Sequence, residues 1–184
     1  MRFALHVQKL IEAAGVLLNL QQTKSMEYLR LLKLLYIANR ECLKETGQPV
    51  VGGRQVAMRF GPVPSAALDL IKGRETASPE WSEYIETQGY NVRLIRDPGR
   101  LHLTKHEVGK LVEISEQRSN RSEWELVDET HGFDEYKLHL PPEGRALEIP
   151  WEDIARAVGL GESLDSIQRF EDERNSVRAA LRSV

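Results

Sequence analysis

An α+β domain, mainly α-helical with short β-strands or hairpins, is the fold class that this 184-residue sequence predicts. Three observations predict it. Apolar residues recur at steps of three and four over most of the chain, as amphipathic helices require. From about residue 49 to 60, and again from 90 to 103, the period falls to two and Gly and Pro punctuate the pattern, as short strands require. No internal repeat or low-complexity tract divides the chain, and its length suits one sizeable core. We place a domain over residues 1–160 and a separate charged helix over 161–184.

The elements follow in order. Phe3, Val7, Leu10, Ile11, Ala14 and Leu18 form the stripe of a first helix ending near Asn19. A second helix runs from Ser25 to about Thr46; it is apolar nearly all round from Leu29 to Ala38 and is therefore central, and Gly47 stops it. Pro49-Val50-Val51, the turn Gly52-Gly53 and Gln55 to Phe60 read as short strands, broken by Gly61-Pro62-Val63-Pro64. Ser65 to Ile71 reads as a short helix, and Ser78-Pro79 as the N-cap and first residue of another. Tyr90–Ile95 and Arg100–Leu103, flanking Asp97-Pro98-Gly99, predict a hairpin. Thr104 with Glu107, and Ser122 with Glu125, are capping boxes that open two further helices, the second passing through Trp124, Leu126 and Val127 to His131-Gly132. Residues 133–149 read as irregular, with an exposed turn at Pro141-Pro142-Glu143-Gly144; Pro150-Trp151 restarts a helix that stops at Gly159. From about Ser163 to Leu181 a charged helix carries only a thin stripe of Leu164, Ile167, Phe170, Val177 and Leu181, which places it on the surface or against another chain.

Composition restricts the function. Twenty-five Lys and Arg against 28 Asp and Glu give a net charge of −3, which lacks the basic excess of a nonspecific nucleic-acid binder. The charge is uneven, at +5 over residues 1–60, −1 over 61–120 and −7 over 121–184. Such ends either steer a charged partner or attract each other across the fold. No apolar run reaches the roughly 20 residues of a membrane span, and the first residues lack a signal-peptide layout, so a cytoplasmic protein without membrane association is expected.

No complete catalytic or metal-binding constellation is present. The single cysteine, Cys42, excludes an internal disulfide and falls on the central helix, where it reads as a small buried hydrophobe. His6, His102, His106, His131 and His139 include no metal-helix spacing, since a strand-to-helix junction separates His102 from His106. Gly52-Gly53 and Gly159-Leu160-Gly161 lack the context of a phosphate cradle and read as turns. No cofactor and no metal is expected, and the chain reads as a binding protein rather than an enzyme.

Leu32-Lys33-Leu34-Leu35-Tyr36-Ile37-Ala38, Thr46-Gly47-Gln48-Pro49 and Met58-Arg59-Phe60-Gly61-Pro62-Val63 together resemble the Panacea domain, the family of the SocA-like antitoxins of bacterial toxin–antitoxin pairs. Leu126 through Thr130-His131 resembles the helix end of that family, so the likeness covers roughly residues 25 to 135. Phe60 stands where the family often has Tyr. The Pro-Trp pair usual soon after the His is absent from Phe133-Asp134-Glu135, with Pro150-Trp151 placed where an insertion would move it. The resemblance implies an antitoxin that neutralises a cognate toxin by direct protein–protein binding, or an adaptor that delivers the toxin to a protease.

The partner-binding candidates are Tyr36, Arg40, Arg59, Phe60, Pro62, His131 and Phe170, with a homo-oligomer as a further possibility. Two readings stand for the Arg59–Pro62 corner: Phe60 packs beneath the central helix, or the rigid corner presents Arg59 and its neighbours to a partner. Tyr36 has the same two readings, and His131 reads as a helix-end residue favoured by the dipole. A DNA-binding regulator would need the second helix, with Lys24, Arg30, Lys33, Arg40 and Lys44, as its recognition element.

Overall fold

The computed structural model describes residues 1–74, 79–142 and 144–182, apart from the side chains at 178, 179, 181 and 182. The chain runs α1 (Val7–Asn19), β1 (Ser25–Glu27), α2 (Tyr28–Thr46), β2 (Gln55–Met58), β3 (Gly61–Pro64), α3 (Ser65–Ile71) and α4 (Pro79–Ser82). It continues through β4 (Ile85–Gln88), β5 (Asn91–Leu94), α5 (Lys105–Gln117), α6 (Glu123–His131), α7 (Asp134–Leu138), β6 (Leu147–Ile149), α8 (Trp151–Ala157), a single 3₁₀ turn (Gly161–Ser163) and α9 (Leu164–Arg182). The fold is mainly helical α+β in one domain.

Helix α2 is the axis, as its all-round apolar pattern requires. Every residue from Arg30 to Asn39 is buried, and α1, α5, α6, α8 and strand β3 pack around it. One buried cluster gathers Leu31, Leu32, Leu34, Leu35 and Ile37 with α1, α3, α5 and the first sheet; the other gathers Tyr36 and Leu43 with Tyr136, Trp151 and Ile154. Gly47 closes the helix at φ +72, and its N–H donates to the Leu43 carbonyl. Antiparallel sheets in the orders β1-β5-β4 and β3-β2-β6 flank this axis.

The boundaries that differ from the sequence expectation do so for long-range reasons. Helix α2 begins at Tyr28, because Ser25–Glu27 pairs with Asn91–Arg93 as strand β1. The expected hairpin about Asp97-Pro98-Gly99 lies instead between β4 and β5, turning at Gly89-Tyr90. Pro98 presses on Gly15 of α1, where a Cβ would come within 2.5 Å of its ring. The Glu12 carboxylate accepts the N–H groups of His102 (2.8 Å) and Leu103 (3.1 Å), so these backbone donors need no partner strand.

Helix α1 begins at Val7 rather than Phe3. Phe3 lies before the helix, its ring meets Trp151 edge to face at 5.1 Å, and its carbonyl accepts from the Gly53 N–H. Gly52 is required by close approach, since a Cβ would fall 2.1 Å from the Ala4 carbonyl oxygen. The stretch 133–149 holds α7 and β6, with Glu135 and Tyr136 buried and Leu147–Ile149 paired to Ala57, Val56 and Gln55. The expected Ser78 cap, Glu143 of the expected turn and the Leu181 side chain lie outside the described residues.

Helix α9 packs by part of the expected stripe, Leu164 and Ile167, joined by polar residues. Ile167 is buried, within 3.4 Å of a Cβ placed at Gly47, and Glu171 is buried beside Arg174, which also donates to Gln48. Phe170 and Val177 face away and are exposed.

Candidate functional site

Lys33, Tyr36 and Arg40 share one face of α2, at spacings of three and four. The Lys33 side chain is fully buried, and its Nζ donates to the Pro62 carbonyl at 2.9 Å. Burial alone lowers its amine from the ordinary 10.5 to about 7. Tyr36 donates to Glu135 Oε1 at 3.1 Å, and Arg40 Nε donates to the same oxygen at 3.0 Å. The Phe133 ring stacks on Tyr36 at 6.3 Å, with the Arg40 guanidinium 4.3 Å from its centroid on α2's side of the cluster. Burial, reinforced by the Glu135 carboxylate, raises the Tyr36 phenol well above its usual range, and the Glu135 side chain has no exposed surface.

The Lys33 end of this face holds the turn between β2 and β3. Arg59 and Phe60 span the turn, and Gly61 follows at φ +89, a value that other residues resist. A Cβ on Gly61 would lie 2.7 Å from Thr130 Oγ1, 2.8 Å from Lys33 Nζ and 3.2 Å from His131 Cδ2. The backbone itself is gripped along its length. Tyr136 donates to the Met58 carbonyl at 3.0 Å and accepts from the Gly61 N–H, His131 is hydrogen-bonded to the Arg59 backbone, and Lys33 takes the Pro62 carbonyl. The His131 ring lies flat on Tyr136 at 4.8 Å with an interplanar angle of 1°. Its imidazole is held below the usual value by burial first and then by the Lys33 charge, opposite to the direction in which the helix dipole would move it.

The outer side of the turn is different in kind. Phe60 does not pack beneath α2; Gly61 to Pro64 are the buried residues of this corner, and Phe60 is 44% exposed. It meets Trp124, itself 53% exposed, edge to face at 5.5 Å, and the Arg59 guanidinium lies 5.4 Å from the Phe60 ring centre. In the sequence Trp124 falls within the apolar run of α6. Leu126, Val127 and Thr130 turn inward, whereas Trp124 shares the exposed face of Asp128 one turn on, and that i, i+4 pairing was the available signal.

Of the candidate residues, then, Tyr36, Arg40, Pro62 and His131 come together behind the turn, with Arg59 and Phe60 in front of it. Phe170 lies apart: α9 packs at Gly47, 14 residues beyond Lys33 and so about 20 Å along α2. Lys33 and Tyr136, neither of them among the partner-binding candidates, hold the turn together with His131, while Thr130 packs against Gly61 and Glu135 ties Tyr36 to Arg40 behind it.

The remaining chemistry is structural. His102 bonds Glu12 of α1 at 2.7 Å, whereas His106, on α5, pairs with Glu45 of α2 at 3.2 Å. No group of three or more His, Cys, Asp and Glu suited to a metal ion occurs among the described residues. Cys42 is buried, and burial chiefly pushes its thiol up to about 12, away from nucleophile chemistry. Three cations of α2 are engaged internally, Arg30 with the carbonyls of Arg118 and Arg121, Lys33 with Pro62 and Arg40 with Glu135, while Lys44 is exposed, so the row that a DNA groove would meet is broken. No described helix is long and apolar enough to cross a membrane.

No curated protein and no solved structure matches the chain. The family model described as antitoxin SocA-like, Panacea domain, matches residues 31–137, more than half of the sequence. That span takes in α2, the gripped turn, Trp124, and the Thr130, His131, Glu135 and Tyr136 side chains behind it. By that match the chain belongs to the SocA-like antitoxin family, through its Panacea domain.

Proposed function

We propose that this protein is a non-enzymatic cytoplasmic antitoxin that neutralises a cognate toxin by binding it directly. Family membership implies the toxin partner. The observation that carries direct binding is the turn at Arg59-Phe60. Its backbone is held by Lys33, His131 and Tyr136, while its two side chains point outward. A surface that is already ordered loses little entropy when a partner docks, so few contacts suffice for useful affinity. In this reading Tyr36, Arg40, Pro62 and His131 position the turn, Arg59 and Phe60 meet the toxin, and Phe170 on α9 offers a separate exposed contact.

The test is co-expression with the product of the adjacent reading frame, scored by growth, followed by copurification of the pair. Restored growth together with a stoichiometric complex is the expected result. Growth restored only in a host with its proteases intact, with no stable complex, would replace neutralisation by delivery to a protease. Absence of any protection would overturn the antitoxin reading.

A further inference from the structure

Phe60 and Trp124 come from elements 64 residues apart in the chain, yet their rings meet near a right angle, at 81°, and each keeps about half its surface in solvent. Aromatic side chains in this state resemble the anchors of protein interfaces. They are rigid, need only two torsions fixed, and bring a large apolar area to a small site. A corner between two rings accepts one apolar side chain against both faces at once.

The charge beside that corner is also unmatched. Arg59 lies over the Phe60 ring and forms no ion pair among the described residues. Of the acidic groups of α6, Glu125 caps Ser122 at 2.8 Å and Glu129 is bound by Arg118 at 2.6 Å and Arg121 at 2.8 Å, and neither Glu123 nor Asp128 forms an ion pair with Arg59 among the described residues. Among the described residues no carboxylate lies within ion-pair distance of the Arg59 guanidinium, whereas Arg40 and Arg54 each have one, at 3.0 and 3.1 Å. A partner that supplied a carboxylate here would gain a charge-assisted hydrogen bond at the rim of an apolar contact, where water is already thinned.

We infer that Phe60, Trp124 and Arg59 form the recognition surface for the toxin, receiving an apolar side chain of that partner in the corner between the rings and an adjacent Asp or Glu on Arg59. The inference rests on the antitoxin reading above and adds to it the place and chemistry of contact. The grip of Lys33, His131 and Tyr136 on the turn backbone keeps the corner in shape before the partner arrives.

The test uses the full chain and the purified product of the adjacent reading frame, with affinity read by titration calorimetry and protection by growth. Phe60→Ala and Trp124→Ala should each weaken binding at least tenfold and abolish protection. Arg59→Glu should weaken it more than Arg59→Ala, and Arg59→Ala should flatten the salt dependence of the affinity. Because all three side chains are exposed, circular dichroism and melting temperature should stay at wild-type values, which separates lost contact from lost fold. Leu101→Ala, at a residue 88% exposed, serves as the surface control and should bind as wild type does. If the wild-type chain protects and binds while the Phe60 and Trp124 variants do so equally well, the surface lies elsewhere and the antitoxin reading survives. If the wild-type chain neither binds nor protects, that reading itself fails. A wild-type dimer that Phe60→Ala turns into a monomer would assign the corner to a second copy of this chain and overturn the proposal.

Discussion

Lys33 brings an amine into the core with a carbonyl, not a carboxylate, as its partner. Its folded value of about 7 lies below the 10.5 of the unfolded chain, so between those values the unfolded state holds a proton that the folded state has released. The free energy of unfolding therefore rises with pH through this window and is flat below it as far as this group is concerned. Several units at roughly 1.4 kcal/mol each make this an effect of several kcal/mol. Lys33→Met, close in volume, should remove that slope, which urea unfolding at pH 7 and pH 9.5 on both proteins would measure; parallel slopes would mean that the amine is solvated. Gly61 is the second sensitive residue. Gly61→Ala combines a positive φ with contacts under 3 Å to Thr130 and Lys33, and should cost roughly 2 to 5 kcal/mol by thermal or urea unfolding.

At the scale of the element, α2 should behave as a core helix and α9 as an accessory. Leu35 is 2% exposed, and Leu35→Ala should cost about 2 to 5 kcal/mol in chemical denaturation, by loss of burial and the cavity left behind. Truncation after Gly161 removes the Ile167 contact and the Glu171–Arg174–Gln48 linkage but leaves α2 and both sheets intact. The shortened chain should keep its circular dichroism signature and lose about 1.5 to 3 kcal/mol, the value of one buried Ile. Elements whose causes are local were legible in the sequence. Thr104 and Ser122 each form a complete capping box with Glu107 and Glu125, because cap and donor sit three residues apart. Elements whose causes are distant were not legible. The hairpin moved because Glu12 satisfies backbone groups 90 residues away, and α9 docks through Ile167 together with Glu171 and Arg174, polar residues that an apolar stripe does not reveal. The candidate site divides the same way. The Gly-Pro corner and the Tyr36 helix stood out, whereas the Lys33 grip and the Phe60–Trp124 pair exist only once the chain has folded.

Across the whole molecule, the basic front and acidic back do meet. Arg40 reaches Glu135, Arg54 reaches Glu148, and the N-terminal amine reaches Glu152. These pairs differ in weight. Arg54–Glu148 is exposed on both sides, so its loss should change stability by less than about 1 kcal/mol. Glu135 is sealed, so Arg40→Ala strands a carboxylate that only Tyr36 still touches and should cost about 3 kcal/mol; adding Glu135→Gln should recover much of that in urea unfolding. The gripped turn divides labour within the molecule. The atoms that hold it are backbone carbonyls, an N–H and a glycine, so the side chains at 59 and 60 do no holding of their own. Positions 59, 60 and 124 are therefore free to diversify under selection while the scaffold stays constant. A library randomised at those three sites should consist largely of folded proteins with altered partner preference, so that a new specificity is reached without passing through an unfolded ancestor.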